Sequence, residues 1–77
     1  MTEASPRWLR DRRLIQQIFI RLCRDSDFRL EPDQAAILTG QTCGYHPLEV
    51  WMAMGSIDVM ERVASGEHPA VRGAPHA

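Results

Sequence analysis

The chain has 77 residues, of which 44% are hydrophobic and 25% charged, and its formal net charge is −1. This length allows one domain whose core is near the lower limit for independent folding, and the composition excludes a disordered chain. The near-neutral charge excludes a global preference for nucleic acid or membrane. No window is long and apolar enough to span a bilayer. We therefore expect a single small domain over residues 1–77, with oligomerisation as a supplement to its limited core.

Cysteine usage and the N-terminal sequence indicate the compartment. The chain has two cysteines, Cys23 and Cys43, without the spacing of a disulfide framework. The N-terminal sequence MTEASPRW has no apolar run before its charges, which predicts that no signal peptide is present. The expectation is a cytoplasmic protein with reduced thiols.

The first predicted helix runs from Arg7 to about Arg24 and follows a Ser5-Pro6 start, in which serine caps and proline takes the first turn. Apolar residues recur along it with helical period, which indicates an amphipathic helix. The apolar side holds Trp8, Ile15, Ile18, Phe19, Leu22 and Cys23. Another side carries an arginine stripe: Arg7, Arg10, Arg13, Arg21 and Arg24. With six arginines against one acid, Asp11, the local charge is +5.

The second predicted helix begins at Pro32 and ends at Gly44. Proline suits the first helical position, acidic residues beside it suit the positive end of the helix dipole, and glycine suits a left-handed cap. A glycine inside it, Gly40, is expected to permit close approach of a neighbouring helix. We expect its buried side to hold Ala35, Ile37, Leu38 and Cys43.

The third predicted helix, Pro47 to Ala64, is the most apolar stretch of the chain. As a single helix it has two apolar arcs instead of the one stripe of a surface helix. The first arc, assigned to the core, is Val50, Ala53, Met54, Ile57, Met60 and Ala64. The second arc is Leu48, Met52, Val59 and Val63, and Trp51 lies outside both, beside Gly55, Asp58 and Arg62. A chain this short cannot cover both arcs well, so the second arc is expected to meet another surface.

These elements predict an all-α fold: a small three-helix domain, or half of a dimeric helical bundle. Its parts are a long N-terminal amphipathic helix, a short middle helix and an apolar third helix. The ordered core is expected at about residues 6–65, with flexible tails at residues 1–4 and 66–77.

The leading functional hypothesis is a non-enzymatic protein–protein interaction module that works through the third helix. The partner is expected to be a second copy of the chain or a different protein that it caps or inhibits. An exposed tryptophan is a suitable anchor and methionines adapt to a partner surface. The predicted partner-binding residues are Leu48, Trp51, Met52, Gly55, Val59, Arg62 and Val63.

The alternative is a small nucleic-acid-associated transcriptional regulator that uses the arginine stripe. Residues 34–40 weakly resemble the first helix and turn of a helix-turn-helix motif. The next helix, however, offers Val50, Trp51 and Met52 where base readout needs polar side chains. The arginine stripe is therefore the better candidate for such binding, and a solvated helix face is its structural alternative.

The sequence gives little support for a metal site or for a catalytic nucleophile. Cys43-x-x-His46 forms one close pair of zinc-ligand types, and Cys23 and His68 are the remaining candidates. Structural zinc sites use four ligands, usually as two close pairs, so no metal is expected. A cysteine–histidine dyad needs an orienting third group that no residue supplies. We expect no catalytic residue, no cofactor and no enzymatic activity.

Overall fold

The chain folds into helices joined by short connections throughout the part that the computed structural model describes, residues 6–72. The fold is therefore all-α, as predicted. None of the helices in this range is long and apolar enough to cross a bilayer. In chain order they are α1 (Arg7–Arg10), α2 (Arg12–Asp25), α3 (Pro32–Cys43), α4 (Pro47–Met54), α5 (Ile57–Ala64) and α6 (Pro69–Arg72).

The core lies where α2 packs against both α3 and α4, which also pack against each other. Helix α2 buries Ile15, Phe19 and Cys23, one from each successive turn, because its apolar residues recur with helical period. Helix α5 completes the core from the other end of the chain with Met60, Val63 and Ala64. The apolar side predicted for the first helix is therefore confirmed at these three α2 residues.

The predicted helix from Arg7 to Arg24 is interrupted at Asp11, which separates α1 from α2. The Tyr45 hydroxyl, from the connection between α3 and α4, donates a hydrogen bond to Asp11 Oδ2. The guanidinium of Arg7 lies 5.2 Å from the centroid of the Tyr45 ring, a cation–π contact. The junction of α1 and α2 is thus tied to a connection more than thirty residues away.

Helix α3 has the predicted start and end because both depend on local residue chemistry. Pro32 takes the first turn, and Gly44 ends the helix in the left-handed conformation, with φ 80° and ψ 33°. A Cβ at Gly40 would collide with the backbone carbonyl of Tyr45. Gly40 therefore permits a close approach as predicted, but of the connection to α4 and not of a neighbouring helix.

The predicted third helix is two helices, α4 and α5, so the three-helix division of the chain is corrected. Gly55 ends helix α4 and has φ 106° and ψ −42°. Residues with a Cβ atom rarely adopt this conformation, whereas glycine adopts it readily. Ser56 then starts α5: its Oγ accepts a hydrogen bond from the Val59 N–H at 3.1 Å. The first predicted arc is buried as expected except at Ile57, which is exposed. The second arc is divided by the break: Leu48 and Met52 on α4 are exposed, whereas Val63 on α5 is buried.

The end of α4 is held by α2. The Ala53 carbonyl lies in the last turn of α4, where carbonyls have no intrahelical donor. It accepts hydrogen bonds from Gln16 Nε2 at 2.8 Å and from Arg12 Nε at 3.2 Å. The positive charge of Arg12 also meets the negative end of the α4 dipole.

The described structure extends past the predicted core limit near residue 65. Val71, in the short helix α6, is 8% exposed and belongs to the core. An Arg24 guanidinium nitrogen donates to the Val71 carbonyl at 3.3 Å, which fixes α6 against α2. Part of the segment predicted as a tail thus packs on the domain, because Val71 has an apolar surface to bury. The tail predictions for residues 1–4 and 73–77 lie outside the described residues.

Replacing Gly55 with alanine tests the break between α4 and α5. In a continuous helix, Gly55→Ala would stabilise the protein by about 1 kcal/mol. In the observed structure it forces a side chain into a disfavoured conformation, with no steric contact around it. We therefore expect a decrease of about 1–2 kcal/mol in the free energy of unfolding, measured by chemical denaturation. Gly44→Ala, at another left-handed glycine with open space around it, should show a loss of the same sign.

The cap on the Ala53 carbonyl predicts that alanine substitutions at two adjacent glutamines change the free energy of unfolding by different amounts. Gln16→Ala removes a part-buried hydrogen bond and should lower the free energy of unfolding by about 1 kcal/mol. Gln17 is exposed on the same helix, so Gln17→Ala should change it by less than about 0.5 kcal/mol. Equal effects of the two substitutions in thermal denaturation would contradict a capping role for Gln16.

Candidate functional site

Large apolar side chains from α3, α4 and α5 form the main candidate site. Helix α4 presents Leu48 and Met52, four residues apart on its outer side, which are 57% and 48% exposed. Helix α3 adds Ile37, which is 45% exposed, and α5 adds Ile57, which is 49% exposed. We name Ile37, Leu48, Trp51, Met52 and Ile57 the apolar strip.

Trp51 joins the parts of this strip. On one side it lines a shallow groove of about 320 Å³ together with Ile37 and Leu48. On the other side it lines a second groove, of about 210 Å³, with Ile57. Trp51 is half-buried and packs against the core, so one edge of its indole is fixed while the other is accessible. A rigid, partly exposed tryptophan between two grooves is typical of a binding anchor.

The start of α4 fixes the position of Leu48. His46 Nδ1 accepts a hydrogen bond from the Leu48 N–H at 3.1 Å, and the Glu49 carboxylate accepts one from the His46 N–H at 2.8 Å. This reciprocal pair is a capping box, with Pro47 at the first helical position. Leu48 therefore projects from a well-defined helix end rather than from a loop.

Acidic side chains surround the strip. Glu31 and Glu61 line the second groove, and Asp33 lines both grooves. We name these three residues the acidic rim. No arginine lines either groove, and the rim carboxylates form no ion pair with the described side chains. The strip thus combines apolar contact area with uncompensated negative charge.

The predicted partner-binding residues do not form one surface. Leu48 and Trp51 line the same groove, and Met52 is exposed one turn after Leu48 on α4. Val63 is only 1% exposed and lies in the core, so its assignment to a binding surface is corrected. Val59 packs against the core on a different side, in a groove with Gln16 and Ile20. Gly55 ends α4 and Arg62 lies exposed on α5, and neither lines the grooves of the strip. The cause is the break at Gly55, which rotates α5 relative to α4.

The same break explains one residue that the sequence prediction misassigned, and the packing of α3 explains two others. Ile57, assigned to the core, is exposed in the strip. Ile37 and Leu38, assigned to the buried side of α3, are also exposed, because α3 buries Ala35, Ala36, Thr39 and Gly40 instead. The sequence did contain a signal for the break: a glycine followed by a serine with Asp58 in the next turn is typical of one helix ending and another starting.

The arginine stripe is largely occupied by intramolecular contacts. Arg7 lies over the Tyr45 ring, Arg10 is 3.9 Å from the Asp11 carboxylate, and Arg24 binds the Val71 carbonyl. Arg13 and Arg21 are exposed on α2 and have no partner within the part of the chain that the structure describes. Two of the five predicted arginines are therefore available for an external partner.

The candidate zinc ligands have local structural roles. Cys43 Sγ donates a hydrogen bond to the Thr39 carbonyl, and His46 caps α4. Cys23 is fully buried in the core. Between residues 6 and 72, no group of three His, Cys, Asp or Glu side chains is placed to hold a metal ion.

Both thiols are less acidic than a free cysteine. Burial raises the pKa of Cys23 to about 11. Burial, and then the negative charge of Asp11, raise the pKa of Cys43. Catalytic cysteines require the opposite shift, because the thiolate is the nucleophile. Neither environment activates a thiol.

Comparison of the chain with models of protein families, with curated proteins and with solved structures gave no match.

Thiol labelling tests these two environments. At pH 8 an aromatic disulfide reagent should label Cys43 more slowly than a free thiol, and this rate should rise with pH because the pKa of Cys43 is raised. Cys23 should be labelled only on unfolding, because it is fully buried. Cys23→Ala and Cys43→Ala assign the two phases. Labelling of Cys23 in the folded protein at the rate of a free thiol would contradict its burial.

Proposed function

We propose that this protein is a non-enzymatic protein-binding module whose contact surface is the apolar strip. The observation that carries the proposal is the exposure of four large apolar side chains from three helices, three of which share a groove with the half-buried Trp51. Such a surface is costly to leave in water, and exposed apolar patches on small proteins commonly mark interaction sites. The grooves are shallow and open, which suits a helix or loop of another protein better than a small molecule.

The exposed fraction of the strip side chains sets the size of the effect expected when they are removed. Burying a large apolar side chain completely contributes about 1.5–3 kcal/mol. Because Ile37 and Leu48 are about half exposed, each is expected to contribute about 1 kcal/mol when a partner covers it. The loss of both corresponds to a roughly 30-fold weaker Kd.

Nucleic-acid binding through the arginine stripe, the alternative hypothesis, has less support. A protein with two available phosphate contacts, Arg13 and Arg21, would show a salt-dependence slope on the order of −2. That corresponds to weak, non-specific binding. Arg7, Arg10 and Arg24 would first have to leave their intramolecular partners.

Photo-crosslinking with competition tests the proposed function. Benzoylphenylalanine in place of Met52 should crosslink a protein partner in a lysate of the source cells, because position 52 lies in the strip. Unlabelled wild-type protein should compete for this partner. The Ile37→Ser/Leu48→Ser variant should need a roughly 30-fold higher concentration to compete equally.

Leu38→Ser is the matched control for this experiment. Leu38 is exposed on α3 next to Ile37 but does not line either groove. This variant should compete as well as the wild-type protein. The proposal would be contradicted by the absence of any adduct at position 52, or by equal competition from all three proteins for a partner other than the chain itself.

A further inference from the structure

The apolar strip and its acidic rim have a complement on the same chain. The exposed side of α2 holds Arg13, Leu14, Gln17 and Arg21, and we name these four residues the arginine face. Helical periodicity places them opposite the buried Ile15, Phe19 and Cys23. The arginine face therefore points away from α3 and α4, which pack against the buried side of α2.

The charges of the two surfaces are opposite, and neither surface forms an ion pair with the side chains that the structure describes. The rim carboxylates of Glu31, Asp33 and Glu61 have no ion pair among the described residues, and neither do the guanidinium groups of Arg13 and Arg21. The groove lined by Arg10, Arg12 and Arg13 contains no acid, and the groove beside Arg21 contains one, Asp25. Contact between the arginine face of one molecule and the acidic rim of another would pair charges that water alone now solvates.

The arginine face also presents apolar area. Leu14, which is 50% exposed, lies at one edge of the face, one turn before Gln17 and two turns before Arg21. Leu9, which is 44% exposed, lines the neighbouring groove with Arg13. An amphipathic helix surface with leucines between arginines is the type of ligand that an apolar groove with an acidic rim selects.

We propose that the occupant of the apolar strip is a second copy of this chain, which binds through its arginine face. This inference rests on the proposed function of the strip as a protein-binding surface. The two contacting surfaces are different, so the contact is head-to-tail and not isologous. Each bound pair therefore keeps one unoccupied strip and one unoccupied arginine face, and it can add further copies.

Sedimentation equilibrium of the wild-type protein is the first test. The mean mass should rise with concentration and exceed that of two copies, because both ends of an assembly remain available. Raising NaCl from about 0.05 M to about 0.5 M should weaken the association about tenfold, because screening shortens the range of the charge pairs. A wild-type protein that stays monomeric up to about 1 mM would overturn the inference.

Two variants then assign the surfaces. Arg13→Glu/Arg21→Glu blocks the arginine face, and Ile37→Ser/Leu48→Ser blocks the strip. Each variant alone should associate at least about tenfold more weakly than wild type. Arg29→Glu/Arg62→Glu introduces the same charge change at exposed positions outside the arginine face and should associate as wild type does. All substituted side chains are exposed, and circular dichroism should show unchanged folding.

Mixing the two blocked variants gives the most specific result. The first variant keeps an intact strip and the second keeps an intact arginine face. The mixture should therefore form a 1:1 complex that stops at two copies. No complex in the mixture, or a complex that each variant forms equally well alone, would overturn the head-to-tail contact.

The outcomes also separate this inference from the proposed function. If position 52 crosslinks a different protein while the wild-type chain stays monomeric, the strip is a binding surface and the second copy is not its occupant. If the chain associates and only the arginine substitutions weaken it, the second copy does not occupy the strip and this inference fails, while the crosslink at position 52 alone decides the proposed function. Binding of a duplex oligonucleotide that Arg13→Glu/Arg21→Glu abolishes, without self-association, would assign the arginine face to nucleic acid instead.

Discussion

The rest of the structure depends on how α4 ends. Gly55 stops the helix after two turns, and α2 supplies the donors that the last carbonyls then need, through Gln16 and Arg12. This interaction joins the first third of the chain to its centre and separates α4 from α5. Because α5 then has its own direction, Val63 turns into the core while Ile57 turns out of it. The candidate binding surface is a consequence of this one helix end.

Features that depend on neighbouring residues could be predicted from the sequence. The bounds of α3 follow from Pro32 and Gly44, and the buried side of α2 follows from its apolar period. Leu48, Trp51 and Met52 were assigned to the surface of α4 for the same reason. Within α4, local spacing and the folded structure agree on these three residues.

The predicted features that the structure corrects depend on contacts with residues distant in the sequence. The donors to the Ala53 carbonyl are 41 and 37 residues away in sequence, so the apolar pattern of residues 47–64 contains no information about them. A glycine inside a helical period is compatible with a continuous helix, and the left-handed alternative is favoured here because α2 caps the shortened helix. Similarly, Val71 could not be placed from its neighbours, because its contacts are with the core and with Arg24.

Trp51 gives the molecule an intrinsic optical probe at the place where a partner would bind. Its indole packs against the core on one side and borders the two grooves on the other, so covering the strip would change the polarity around it. The chain has two tryptophans, and Trp8 lies on the separate helix α1. A chain with Trp8 replaced by phenylalanine would report the occupancy of the strip by the emission of one native residue. No label would then need to be attached to the surface under study.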